Sequence, residues 1–123
     1  MRSSRSSSRR PEQVAETVRH VLTEALGRGE VRDPRVGLVT VTAVYVTNDL
    51  SHARVMVALR GDEGEKERAL EGLKSAAGFL RSKLARVLTT RTVPELHIEL
   101  DQGLEQAARI DALLGELKRE AAD

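Results

Sequence analysis

The apolar residues of the chain follow a helical spacing in some regions and alternate with polar residues in others. A spacing of three and four predicts amphipathic helices over about residues 11–26, 65–89 and 104–117. Alternation predicts strands over about residues 36–46, 52–59 and 96–100. This order predicts an α+β fold in which a three-stranded sheet carries its helices packed on one face.

The first predicted strand contains a change of phase. Val39 and Val41 would lie on one face of a regular strand, whereas Val44 and Val46 would lie on the other. A β-bulge near Thr42 would explain the change, and burial of both strand faces would give a similar pattern.

Gly78 interrupts the second helical region, which resumes after it with Leu80, Leu84 and Leu88. Glycine weakens a helix locally and permits close packing, so the region is predicted to be a kinked helix pair with its kink at Gly78. A β-branched residue at Gly78 is expected to reduce stability by about 1 to 3 kcal/mol if the position is strained or crowded.

Charge is distributed unevenly along the chain. The formal net charge is +1, but the first ten residues, MRSSRSSSRR, carry four arginines and no acid, which leaves about −3 for the remainder. Residues 1–10 lack apolar residues after Met1 and are predicted to form a flexible arm, followed by a single domain over residues 11–123. The arm's candidate RNA-binding residues are Arg2, Arg5, Arg9 and Arg10.

A second concentration of positive charge lies in the longest acid-free part of the predicted domain, residues 72–94. Its cations and hydroxyls lie opposite the leucine stripe of the second helical region, and such groups bind phosphate and sugar oxygens. The candidates for RNA binding here are Arg81, Lys83, Arg86 and Arg91. An ordinary solvated helix face is the alternative interpretation.

Little in the sequence indicates catalysis or a cofactor. The chain has no cysteine, and His20, His52 and His97 stand at no recognisable metal-ligand spacing and beside no nucleophile motif. Surface histidines are the better interpretation, and no G-x-x-x-x-G-K-[ST] loop is present to hold a nucleotide. We expect no enzyme activity, no metal, no cofactor and no small-molecule substrate.

Two further features limit the mode of binding and the location. Tyr45 and Phe79 are the only aromatic residues, too few for a base-stacking platform of single-stranded RNA binders. No apolar run approaches the length of about 20 residues that a membrane span needs. A cytoplasmic protein without membrane contact is therefore expected.

Five short motifs resemble the ribosome-binding factor A family in sequence and order. They are DPRVG at residues 33–37, VTVT at 39–42, NDLS at 48–51, AAGFLR at 76–81 and RTVPEL at 91–96. The resemblance covers about residues 10–114. It implies a KH-like fold of type II, in which an Ala-x-Gly kink, here Ala76, Ala77 and Gly78, replaces the nucleotide-gripping G-x-x-G loop.

The resemblance also implies a function. Members of this family bind the free small (30S) ribosomal subunit, assist late maturation of 16S rRNA and support growth in the cold, so the partners expected here are 16S rRNA and the free 30S subunit, bound by a monomer. Two alternatives remain open. One is a general KH-type single-stranded RNA-binding protein, and the other is a protein-interaction domain that pairs through its sheet edge or final helix.

Overall fold

The computed structural model describes the backbone of residues 2–122 and the side chains of residues 10–103 and 112–120. Its elements are α1 (Arg2–Gly27), β1 (Val39–Val46), β2 (His52–Leu59), α2 (Glu63–Ser75), α3 (Ala77–Val87), β3 (Glu95–Leu100) and α4 (Gly103–Ala122). The predicted α+β class is confirmed. Among the described residues, no helix is both long and apolar enough to cross a membrane.

The sheet has the order β1-β2-β3, with β1 antiparallel and β3 parallel to β2. Its register shifts between Val41, which pairs with Val57, and Ala43, which pairs with Met56. Thr42 is the extra residue, so the β-bulge predicted from the phase change is confirmed. As a result, the four valines of β1 all contact the hydrophobic core: Val39, Val41, Val44 and Val46.

The core lies between one face of the sheet and helices α1, α2 and α3. Val55 in β2 is fully buried, as are Val18 of α1 and Leu80 and Leu84 of α3. Full burial of each such side chain contributes about 1.5 to 3 kcal/mol. The alternate residues of β2 and β3 lie on the opposite face of the sheet, where His52 and His97 are exposed to solvent.

The kinked helix pair is present, and its break lies at Ala76, the first residue of the Ala76, Ala77, Gly78 kink that the resemblance implies, two residues before Gly78. Ala76 has φ −86° and ψ −1°, and its N–H bonds the carbonyls of Gly72 and Leu73, which ends α2. Ala77 begins α3 directly afterwards. Gly78 therefore lies within α3, and a Cβ added to it would have no contact within 4 Å.

The first helix begins earlier than its apolar pattern predicts. Helix α1 starts at Arg2 and contains Pro11, whereas the sequence placed the start of the helix at Pro11. The preceding Arg and Ser residues include neither glycine nor proline, so nothing in them breaks a helical backbone. The side chains of residues 1–9 lie outside the described residues, and flexibility of the arm stays a prediction.

Helix α4 confirms the predicted last helix. Leu113, Leu114 and Leu117 are each more than half exposed. In the described part of α4, therefore, the apolar stripe is not buried in the core that α1, α2 and α3 cover.

Candidate nucleic-acid interface

Helix α3 divides its residues between the core and solvent. Leu80 and Leu84, four residues apart, are completely buried, so the opposite face, with Ser82 and Arg86, is exposed. The helix ends after Val87, where the next residue turns to an extended conformation. The predicted solvent-facing side of this helix is therefore present.

The loop between α3 and β3 folds back against α1. The Thr90 hydroxyl donates to the carbonyl of Thr92 at 2.9 Å, and Pro94 is fully buried at the end of the loop. An open groove of about 650 Å³ lies between this loop and α1. Its lining from the two segments is Arg10, Gln13, Val14, Thr17, Val87, Leu88, Thr89, Thr90 and Arg91.

Arg91 lies at the junction of two grooves. A second groove, of about 330 Å³, is lined by Gly78, Arg81, Ser82, Ala85, Arg91 and Val93. Arg91 therefore links the α1 side of the loop to the exposed face of α3. Two predicted site residues, Arg10 and Arg91, line the first groove, and Arg81 and Arg91 line the second.

Arg81 is engaged in holding the loop. Its Nη2 donates to the carbonyl of Val93 at 2.8 Å, and its Nε lies 3.3 Å from the carbonyl of Pro94. Two loop carbonyls are thus bonded by one planar guanidinium, which fixes the segment just after Arg91. In the candidate interface, Arg81 therefore positions the loop, and its predicted RNA contact stays a prediction.

Lys83 is directed away from both grooves. Its ammonium forms an ion pair with Glu30, in the segment after α1, and lies 5.6 Å from the centre of the Phe79 ring. The side chain is only 30% exposed. Because a carboxylate already neutralises this cation, Lys83 has less charge to offer a phosphate than the sequence alone indicated.

Arg86 and Arg91 are exposed. Within the side chains that the structure describes, neither forms an ion pair. Arg10 is exposed too, at the start of those side chains. Arg2, Arg5 and Arg9 lie outside the described side chains, so their predicted contacts stay a prediction.

The groove also contains polar residues that the sequence did not single out. Gln13 and Thr17 of α1 line it opposite Thr89 and Thr90. On the helical wheel of α1 they are simply polar positions. Only the folding of the α3–β3 loop against α1 places an amide and a hydroxyl beside Arg91.

Comparison with known proteins gives a consistent family. A family model described as Ribosome-binding factor A matches residues 10–114. The protein of that name from Gemmatimonas aurantiaca is 44% identical over 113 residues, which cover 91% of this chain and 77% of that protein. Its counterpart from Pelobacter propionicus is 43% identical over 113 residues, or 92% of each chain.

Solved structures support the same relationship. The crystal structure of ribosome-binding factor A from Thermus thermophilus is 30% identical in sequence, with a TM-score of 0.63 over 73% of this chain and 94% of that one. The solution NMR structure of a Thermotoga maritima protein has 31% identity and a TM-score of 0.67 over 76% of this chain and 89% of that one. From the matched residues, the identities and the shared fold, the chain belongs to the ribosome-binding factor A family.

Proposed function

We propose that this protein is a cytoplasmic ribosome-assembly factor that binds the free small ribosomal subunit and assists late maturation of its 16S rRNA. Family membership supports the ribosomal partner. The observation that supports this RNA-binding surface is the groove that Arg10 and Arg91 line together with Gln13 and three threonines. Arginine with neighbouring hydroxyl and amide groups is the combination that binds phosphate and sugar oxygens.

The surface fits the backbone of folded RNA better than unstacked bases. Of the two aromatic rings, Phe79 lies beneath the Lys83 ammonium and Tyr45 is in β1, and neither lines the two grooves around Arg91. Proteins that hold single strands usually stack successive bases on several rings. Phosphate contacts from Arg10, Arg86 and Arg91 are the contribution that this surface offers.

Binding by this surface would act on rRNA without chemical catalysis. A protein shifts a conformational equilibrium only by binding one conformation more tightly than the other. A groove with Arg91 between α1 and α3 would favour the rRNA conformation whose phosphates match the spacing of its arginines. The proposed role is therefore to promote folding of the rRNA by binding alone, and we propose that the protein acts as a monomer.

Sedimentation of the protein with purified small subunits over a series of salt concentrations tests the proposal. Arg91→Gln and Arg86→Gln should each lower the slope of log affinity against log salt by roughly one unit, since each removes one phosphate contact. Lys83→Gln should change the slope less, because the Lys83 charge is paired with Glu30.

Arg60→Gln is the matched control. Arg60 is exposed and follows the end of β2, whereas Arg91 precedes β3, which runs parallel to β2, so the two arginines lie at opposite ends of the sheet. Equal loss of binding in Arg60→Gln and Arg91→Gln would contradict the assignment of the surface. Equal affinity for unstructured oligonucleotides and intact subunits would favour a general single-stranded RNA-binding protein instead.

The maturation role has its own test in a bacterial host whose family member has been deleted. The wild-type chain should reduce the accumulation of precursor 16S rRNA, and Arg91→Gln should do so less well at equal protein abundance. Full rescue by a variant that no longer sediments with small subunits would argue against binding as the basis of the role.

A further inference from the structure

Two histidines and a glutamate meet on the outer face of the sheet, where β3 begins. His52 Nδ1 lies 2.9 Å from His97 Nε2 and 3.9 Å from Glu95 Oε2. All three potential ligand atoms lie within 4.8 Å of one another, and all three side chains are exposed. This His-His-Glu cluster is separate from the grooves around Arg91 described above.

Strand pairing explains the cluster. His52 and Glu95 are direct partners in the parallel register of β2 and β3. His97 follows Glu95 by two residues, and side chains two apart on a strand lie on the same face. The backbone around them is fixed, since Glu95 N donates to the carbonyl of Ser51 at 2.9 Å and Thr47 N donates to that of His52 at 3.0 Å.

The distances suit a small metal ion. Zinc binds imidazole nitrogen and carboxylate oxygen at about 2.0 to 2.2 Å, so two ligand atoms at a tetrahedral angle are separated by about 3.4 Å. The two separations measured from His52, 2.9 and 3.9 Å, lie on either side of that value. Small rotations of three exposed side chains are enough to reach it.

The charges around the cluster also favour a cation. The Asp49 carboxylate lies three residues before His52 and accepts hydrogen bonds from the hydroxyls of Thr47 and Ser51, each at 2.7 Å. Arg54, which lies between His52 and the end of β2, is already paired with Glu99 at 2.7 Å.

We propose that His52, His97 and Glu95 bind one divalent transition-metal ion of the zinc class. The ion would join β3 to β2 at the first residue pair of their parallel ladder, with its remaining coordination position open to solvent. The proposal is independent of RNA binding. It revises the expectation of no metal site, which rested on ligand spacing along the chain: His52 and His97 are 45 residues apart and become neighbours only through the sheet.

Calorimetric titration of Zn²⁺ into the untagged, chelator-treated full chain tests this site, with Co²⁺ as a spectroscopic probe of coordination. We expect saturable binding of one equivalent and a tetrahedral Co²⁺ spectrum. His97→Gln and His52→Gln should each bind at least about tenfold more weakly, because losing even a partner behind a ligand costs that much. Zn²⁺ should raise the melting temperature of the wild type and not of these variants.

His20→Gln is the matched control. His20 is an exposed histidine on α1 that lies 3.5 Å from Glu24, so it resembles the cluster in composition but lacks a second imidazole. Zinc affinity should be unchanged in this variant. Lack of one-equivalent binding by the wild type, retention of it in both His52→Gln and His97→Gln, or its loss in His20→Gln would each overturn the proposal. Circular dichroism without metal checks that the variants are folded.

Discussion

Gly72 and Gly78 look alike in sequence but have different surroundings in the fold, and alanine at each should have opposite effects. A Cβ added at Gly72 would lie 2.8 Å from Cγ2 of Val36 and 3.2 Å from Cγ of Asp33. A Cβ added at Gly78 would meet nothing within 4 Å. Neither glycine has a positive φ, so backbone strain does not distinguish them.

The magnitudes follow from two opposing contributions. Replacing glycine by alanine within a helix gains about 0.5 to 1 kcal/mol. At Gly78 this gain should stand alone and stabilise the protein. At Gly72 the new methyl group must displace Val36 or the backbone, and overpacking costs about 1 to 3 kcal/mol. The helix contribution is similar in both variants, so the free energies of unfolding should differ by about 1 to 3 kcal/mol.

Thermal and urea unfolding followed by circular dichroism measure that difference. For a chain of this size, a change of 1 kcal/mol corresponds to roughly 3 to 5 °C in melting temperature. The melting temperature of Gly78→Ala should be higher than that of the wild type and higher than that of Gly72→Ala. If Gly72→Ala were as stable as Gly78→Ala, the close approach of α2 to residues 33–36 would not prevent a larger side chain at position 72. A loss of stability in Gly78→Ala would instead show that Gly78 is strained or crowded, as the sequence alone allowed.

Three further changes test separate contacts. Thr42→Val should lower the free energy of unfolding, measured in urea, by about 0.5 to 1.5 kcal/mol, because the half-buried Thr42 hydroxyl donates to Asp101 Oδ2 at 2.6 Å. Unchanged stability would show that the bulge does not need this hydrogen bond. Hydrogen bonds from the Arg35 guanidinium and backbone N–H lower the pKa of Asp33 from 3.8 to about 2. The ionised carboxylate therefore contributes its full stability above about pH 4, and this contribution is lost as the pH falls to about 2. In acid unfolding, Asp33→Asn should lack that decline, and an identical profile would refute the linkage. Arg81→Lys should weaken subunit binding with little change in salt slope, because lysine keeps the charge but loses the paired bonds to Val93 and Pro94. Arg81→Gln should also leave the slope nearly unchanged, and a slope lower by a full unit in that variant would make Arg81 a phosphate ligand.

The strands could be predicted in detail because each must place its apolar residues toward one core. In β1 that requirement conflicts with strict alternation, and an extra residue at Thr42 resolves the conflict. The phase change in the sequence therefore indicated both the strand and its bulge. The inward residues of β2 and β3 followed from the same period of two, and Val55 and Ile98 are buried as predicted.

The exact residue of the helix break could not be predicted from the apolar pattern, although Ala76 lies within the Ala76, Ala77, Gly78 kink that the family resemblance implies. Leu73, Leu80 and Leu84 would share one face even on a single straight helix, because their spacings of seven and four match its period. The apolar pattern therefore does not indicate where the helix breaks. The kink was predicted at Gly78 because glycine weakens a helix. Ala76 is the C-cap of α2, and its N–H bonds the carbonyls of Gly72 and Leu73.

Contacts between segments distant in sequence could not be predicted from the sequence either. The pairing of Lys83 with Glu30 joins α3 to the segment after α1, and no local pattern links the two. The same limit applied to His52 and His97, which alternate outward on separate strands as predicted but adjoin only through the parallel register. A sequence indicates which face a side chain takes more readily than which side chain it will meet.

These pairings change how the positive charge of the interface should be counted. Of the four candidate phosphate ligands in residues 72–94, Lys83 is neutralised by Glu30 and Arg81 is bonded to loop carbonyls. Arg86 and Arg91 remain, with Arg10 across the groove. Three contacts imply a salt slope near −3 for duplex-like RNA, at about 0.9 per phosphate. A steeper measured slope would assign the excess to the arginines of the arm, and deletion of residues 1–9 should then restore it to about −3.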